Sequence, residues 1–283
     1  MVRIKQCIAN ARGYRHNFCC HRDWASKTLA HLIFTNWAKN AFWKSTTLSH
    51  ADYIAMNPKR YVLTAVPGWR LERTRVDSMR CVNLGVALLV IGNILVFLCM
   101  IRAYQHLGPA VAHVLPVDAT MADMLHDLFL RFKAWLQDNK VQCSCGRFTP
   151  ASVHRERNTE QPRFKCKAAQ APKIVVWLAE LTHTIAEKNP NHHEIQLVAI
   201  CSWALANYFY IMKCAGRFFK DEEVVDSDET GHFLHAYSEL RRISAAKGTN
   251  MWSIVPKLHQ MHHIILDAIQ DRNNPRFFSL FFG

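Results

Sequence analysis

The hydrophobic positions of this chain recur mainly at helical spacing. The clearest stripe follows Thr120, a residue suited to an N-cap, and its apolar residues are spaced by three and four: Met121, Met124, Leu125, Leu128, Phe132, Trp135 and Leu136. Similar patterns predict helices over 78–106, 120–139, 173–188, 192–215, 227–247 and from about 255 to just before 274. Signals for strands are few and lie at 60–66 and around 69–76. We therefore expect a mainly α-helical globular domain with at most a few short strands.

One stretch is apolar on all sides. Residues 82–101 read VNLGVALLVIGNILVFLCMI, which is twenty residues without a charge and long enough to cross a bilayer as a helix. Asn83 and Asn93 place amides inside this run, and an amide is costly in lipid unless it has a partner. A buried core helix can be equally apolar. These observations support a core helix and a membrane span about equally.

Length and composition suggest how the chain is organised. The 283 residues are half hydrophobic, with only 10 Gly and 10 Pro, which suits a sizeable core and argues against a turn-rich β architecture. We divide the chain into a basic, irregular segment with scattered tryptophans (1–64), core helices (65–140), a loop or linker (141–171) and a C-terminal helical region (172–283).

The charge of the chain is strongly positive. There are 35 Lys and Arg residues against 22 Asp and Glu residues, a formal charge of +13. Such a balance favours a polyanionic partner, either nucleic acid or an anionic membrane surface, although a solvated basic surface without a partner is also consistent with it. The ten cysteines are irregularly spaced and no signal peptide opens the chain, which favours a reducing intracellular compartment, nuclear or cytoplasmic. A membrane location is the alternative.

Histidine and cysteine residues supply the candidate metal ligands. His259 and His263 lie one turn apart on the last predicted helix, a spacing that can chelate a metal ion, although Gln260 stands where a zinc peptidase has glutamate. Cys19, Cys20 and His21 form a second group that could bind zinc together with Cys7. A third set contains Cys143, Cys145, His154 and Cys166, but it lacks the second C-x2-4-C pair that structural zinc sites usually have.

Motifs of the common enzyme classes are missing from the sequence. It contains no GxGxxG, no GxxxxGK[ST] and no GxSxG, so dinucleotide-binding, P-loop and α/β-hydrolase chemistry are poorly supported.

Several short segments occur in an order that resembles transposase-like proteins of a protist-expanded family. They are VPGWRL (66–71), VDSMRCVNLG (76–85), SHADYIAM (49–56), KAA (167–169), VWLAEL (176–181), PKLH (256–259) with His263, and NPRFF (274–278). The resemblance implies a ribonuclease-H-like core in which carboxylates hold Mg²⁺ ions for phosphodiester chemistry. It also implies that the run after Leu84-Gly85 is an internal helix, and it makes Asp77 the candidate catalytic carboxylate and DNA, more than RNA, the expected partner.

The chain departs from the pattern of that family. Arg80 stands where the family has histidine, and Asp77 is the one carboxylate that matches, whereas a two-metal site needs several. We expect a transposase-derived, catalytically inactive protein that associates with nucleic acid, with the fold a remnant of the α/β core. The alternatives are a single-pass membrane protein spanning 82–101 and a helical protein-interaction module.

Overall fold

The computed structural model describes residues 17–56, 65–108, 115, 117–224 and 231–278. Within these residues the protein is mainly helical and contains no sheet, which confirms the predicted fold class. Three isolated β-bridges are the extended pairings found there. The chain forms two compact units, one from Met1–Val76 with Val255–Ile264 and the other from Asp77–Ile254 with Ile265–Gly283.

The first unit has little regular structure. Its elements are 3-10 helices at Ala30–Leu32, Phe42–Thr46 and Leu71–Arg73 and the short helix α1 at His50–Met56. The stretch 69–76, predicted as a strand, instead contains the last of these 3-10 turns, because the backbone N–H groups of Arg73 and Thr74 bond to carbonyls three residues back. Most of the other predicted strand, 60–66, lies outside the described residues.

Long helices build the second unit. A π-helix at Met79–Val86 continues into α2 (Ala87–Ile101). The helices that follow are α3 (Met121–Asp138), α4 (Ala171–Lys188), α5 (His193–Cys214) and α6 (His232–Ala246). The last helix, α7 (Pro256–Asp271), contributes its residues up to Ile264 to the first unit and the remainder to the second.

Local sequence determines where α3 begins. Thr120 accepts the backbone N–H of Asp123, and the Asp123 carboxylate accepts the backbone N–H of Thr120, so the two residues form a capping box. Such a pair satisfies two of the N–H groups that have no partner within the helix. The predicted helix start is confirmed at this position.

The apolar run forms a helix buried within the second unit. Both of its amides are matched by protein groups: Asn83 donates to the carbonyl of Ala168 at 3.2 Å, and Asn93 donates to Leu89 and accepts the backbone N–H of Trp252 at 2.7 Å. Met79–Ile101 and His193–Cys214 are each long and apolar enough to cross a bilayer, but most of both is covered by protein. These contacts are those of a core helix.

The predicted linker at 141–171 lies inside the second unit. Phe148, Val153 and Phe164 are fully buried there, and the backbone N–H of Phe164 bonds to the carbonyl of Leu88 at 2.8 Å. The segment therefore packs against α2 although it has no regular secondary structure.

Candidate metal centre

Four potential metal ligands meet in the interior of the first unit. They are Cys20, Asp23, His259 and His263, whose ligating atoms all lie within 4.8 Å of one another. All four side chains are buried, Asp23 and His259 completely so. Buried charges and imidazoles are rare unless they are paired or coordinate a metal.

Four of the six distances between the ligating atoms can be compared with the edges of a zinc tetrahedron. Nε2 of His263 lies 3.3 Å from Sγ of Cys20, 3.2 Å from Nε2 of His259 and 2.7 Å from Oδ2 of Asp23. Nε2 of His259 lies 3.1 Å from the same Asp23 oxygen. Ligands bound to zinc at about 2.0–2.3 Å in tetrahedral geometry are separated by roughly 3.3–3.6 Å. Three of the four distances lie at or slightly below this range, the 2.7 Å contact is shorter, and all six lie within 4.8 Å, so a small outward movement of the donors would accommodate a zinc ion.

Hydrogen bonding accounts for only part of this arrangement, because Oδ2 of Asp23 can accept two N–H groups but the two histidines then cannot bond to each other. A ring nitrogen has either one hydrogen or one lone pair, yet Nε2 of His263 faces three heteroatoms at once. If both histidines donate to Oδ2 of Asp23, their Nε2 atoms lie only 3.2 Å apart with no hydrogen bond between them. A cation at the centre removes this conflict, because all four atoms then contribute lone pairs to it.

A tight loop places the first two ligands. Oδ1 of Asp23 accepts the backbone N–H of Ala25 at 2.8 Å, which leaves Oδ2 directed at the histidines. The backbone N–H of Arg22 donates to Sγ of Cys20 at 3.3 Å, a contact that favours the thiolate. Helix α7 supplies the other two ligands, because residues four apart lie on the same helix face.

Aromatic rings enclose the histidine side of the centre. The ring of Trp43 lies 4.5 Å from that of His259 and 5.7 Å from that of His263. Its indole N–H donates to the carbonyl of Asn36 at 2.8 Å. The Phe34 ring contacts His259 edge-on. This packing fixes the orientation of the ligand rings and excludes water.

Burial and neighbouring charge perturb the protonation of these groups. Burial, and then the nearby Asp23, raise the pKa of the Cys20 thiol well above its usual value. Burial opposes ionisation of Asp23, but hydrogen bonds from His259 and His263 hold its pKa well below the usual range. Burial lowers the pKa of His263. Binding of Zn²⁺ would displace the Cys20 proton, and one thiolate plus one carboxylate would neutralise the charge of the ion.

The structure brings together only some of the metal ligands predicted from the sequence. His259, His263 and Cys20 meet, and Asp23, which the sequence reasoning missed, completes the set. Cys19 and His21 do not belong to the group; Sγ of Cys19 lies 3.7 Å from the carbonyl of Ala25. Cys7 lies outside the described residues.

The third candidate set is only partly assembled, because burial and then the neighbouring thiols of Cys145 and Cys143 raise the pKa of Cys166, yet the donor atoms do not converge. Cys143, Cys145, His154 and Cys166 do not form a group of close donor atoms, and among the described residues the four-ligand centre is the one group of three or more that does.

Asp77, the candidate catalytic carboxylate, lies at the start of the π-helix. Its Oδ1 accepts the backbone N–H of Arg80 at 3.2 Å, and its Oδ2 lies 3.5 Å from the Arg80 guanidinium. Within the described part of the chain it is not near two other metal ligands. These contacts are typical of a carboxylate at a helix N-terminus, and its catalytic role stays a prediction.

The ligand chemistry favours zinc over the magnesium that nuclease-like chemistry would use. Sulfur and imidazole suit Zn²⁺, whereas Mg²⁺ requires oxygen ligands and retains water.

Comparison of the chain with protein-family models, with curated proteins and with solved structures finds no match in any of the three.

Proposed function

We propose that this chain is a non-catalytic, zinc-organised protein that binds nucleic acid through its basic first unit. The convergence of Cys20, Asp23, His259 and His263 on one point is the observation on which the proposal depends. Four buried protein ligands leave no coordination position for a substrate or an activated water. A closed site of this kind stabilises a fold, whereas catalytic zinc keeps one position open.

The nucleic-acid part of the proposal depends on charge. Residues 1–76 contain thirteen Lys and Arg residues and three Asp and Glu residues, so most of the positive excess of the chain lies in this unit. Neutralisation of phosphates by such residues releases counterions and drives binding. The resemblance to transposase-like proteins points to the same partner, with DNA expected ahead of RNA.

The metal centre is connected to a basic and aromatic surface. Trp43, which packs on the two ligand histidines, belongs to the 3-10 helix Phe42–Thr46. Its neighbour Phe42 is 57% exposed, Lys44 is half-buried and Lys39 is exposed just before the turn. An exposed ring beside lysines suits a nucleic-acid strand, because bases stack on the ring while phosphates meet the ammonium groups. By holding Trp43, the metal would position this surface.

Metal analysis tests the zinc centre. Protein prepared with zinc and dialysed against zinc-free buffer is expected to retain about one zinc ion per chain by mass spectrometry of the metal. The variant Cys20→Ser should retain almost none, because a hydroxyl is a poor replacement for a thiolate ligand. Cys19→Ser is the matched control and should retain zinc.

A second measurement covers the case in which Cys20→Ser does not fold. Cobalt added to the metal-free wild-type protein should give the visible absorption of a tetrahedral site with one sulfur ligand. Zinc retained equally by both serine variants, or a cobalt spectrum of an octahedral oxygen site, would contradict the assignment.

Salt titration tests nucleic-acid binding. The affinity for a labelled DNA duplex, followed by fluorescence anisotropy, should fall steeply with salt. In a plot of log K against log[salt], the magnitude of the slope should decrease by about 0.9 for each phosphate contact that is removed. The double variant Lys39→Gln/Lys44→Gln should therefore lower the slope by about 2. Lys133→Gln/Lys188→Gln, with the same charge change on the second unit, should leave the slope unchanged. Absence of binding at low salt would exclude the proposal.

A further inference from the structure

The second unit contains a cavity of about 590 Å³, within the size range of small-ligand sites. Buried side chains from α5 form part of its wall, among them Tyr208, Phe209 and Met212. Trp135 from α3 and Val176 from α4 add further apolar surface. The wall is therefore mostly apolar, as in sites that bind the hydrocarbon part of a ligand.

Positive charge is concentrated at this cavity. Lys173, Lys213 and Arg276 line it, and none of the described lining residues is Asp or Glu. Lys213 is exposed and Arg276 is half-buried, and the Arg276 guanidinium donates to the carbonyl of Lys213 at 3.3 Å. An apolar wall beside cations complements a molecule with an apolar body and an anionic end.

The π-helix also contributes to the cavity. Asn83 from this element and Ser78 just before it line the wall. π-Helical turns are rare and occur frequently at functional sites, because they displace side chains from their regular helical positions. The π-helical segment that precedes α2 therefore lies beside the cavity.

We infer that this cavity binds a small amphipathic carboxylate, with its hydrocarbon chain against Phe209, Met212 and Val176 and its carboxylate at Lys213 and Arg276. The hydrocarbon chain of the ligand would move from water to an apolar wall. The carboxylate of the ligand would form charge-assisted hydrogen bonds with cations that remain partly hydrated. The inference is independent of the metal centre, since all of the lining residues belong to the second unit.

Calorimetric titration of the full-length protein tests the inference. Decanoate is expected to bind more tightly than octanoate by up to about fourfold per methylene. Decanol and decyltrimethylammonium, which have the same chain with a neutral or a positive end, should bind at least about tenfold more weakly than decanoate. Decyl phosphate serves to distinguish a carboxylate site from a phosphate site.

Two variants locate the binding. Lys213→Glu should weaken decanoate binding by about tenfold or more while changing decanol binding little, and Val176→Phe should weaken both because it fills the cavity. Lys188→Glu is the charge-matched control, since Lys188 is exposed at the end of α4 and does not line the cavity. Any one of four results would overturn the inference. The first two are equal binding of all four decyl compounds and tighter binding of decyl phosphate than of decanoate. The others are no heat with any of the compounds and equal effects of the two glutamate variants.

Discussion

Removal of zinc from the full-length protein is expected to unfold residues 17–56 while the helices of the second unit stay folded. Apart from the N-terminal half of α7, the first unit has only 3-10 turns and the seven-residue α1 in its described part. Helices this short are not stable by themselves. One of its hydrophobic clusters comprises Leu48, Tyr53 and Leu71, with Trp24 and Trp69 packed against it. A structural zinc ion contributes about 10 kcal/mol or more to folding, so its loss should exceed what the remaining contacts supply.

Hydrogen exchange followed by mass spectrometry measures this effect directly. After treatment with a chelator, the amides of Cys19, Ser26 and Leu48, which bond to the carbonyls of Ala25, Leu32 and Arg22, should lose their protection. Amides within α4 and α5 should keep theirs. Protection should return with added Zn²⁺ and not with Mg²⁺, which prefers a shell of oxygen atoms. A zinc-free protein whose 17–56 amides exchange as slowly as before would show that the ion is not structural.

The metal centre shows how far the sequence could be interpreted. His259 and His263 are predictable as a pair because a spacing of four places them on one helix face. Cys20 was predicted as a zinc ligand together with Cys19, His21 and Cys7. In the structure the fourth donor of the group is Asp23, and C-x2-D with H-x3-H would be the ligand spacing of a Cys₂His₂ site with aspartate in place of one cysteine. That substitution is the signal that was missed.

The fold was easier to predict where the periodicity of the sequence is strong. Helices α3 to α7 follow apolar spacings or recognisable ends, and each lies within a few residues of its predicted range. The role of 141–171 was harder to predict, because Phe148, Val153 and Phe164 are buried by tertiary contacts with no local periodicity. The convergence of a loop near residue 20 with a helix near residue 260 is equally non-local, and within the two segments only the spacing of the four ligands indicates it.

Replacement of Gly92 by alanine is expected to destabilise the protein by about 3 kcal/mol. Gly92 lies in the middle of α2, where the irregular segment passes directly over the helix. A Cβ at this position would lie 2.6 Å from the backbone nitrogen of Arg163 and 2.8 Å from that of Phe164. These are backbone atoms, and the N–H of Phe164 is held by the Leu88 carbonyl, so a change of rotamer cannot relieve the clash. Either the helix or the crossing segment must move.

The sign of this effect distinguishes a packed core helix from a helix that faces lipid. Alanine favours helix formation over glycine by up to about 1 kcal/mol, so the substitution would be neutral or stabilising if nothing crossed α2 at Gly92. In the packed arrangement the steric term dominates, and the midpoint of thermal unfolding should fall by roughly 6–12 °C. Gly146→Ala is the control, because a Cβ there meets open space, and the midpoint should change little. An unchanged or higher midpoint for Gly92→Ala would mean that residues 162–164 do not pack on this helix, and it would restore the bilayer as the environment of the apolar run.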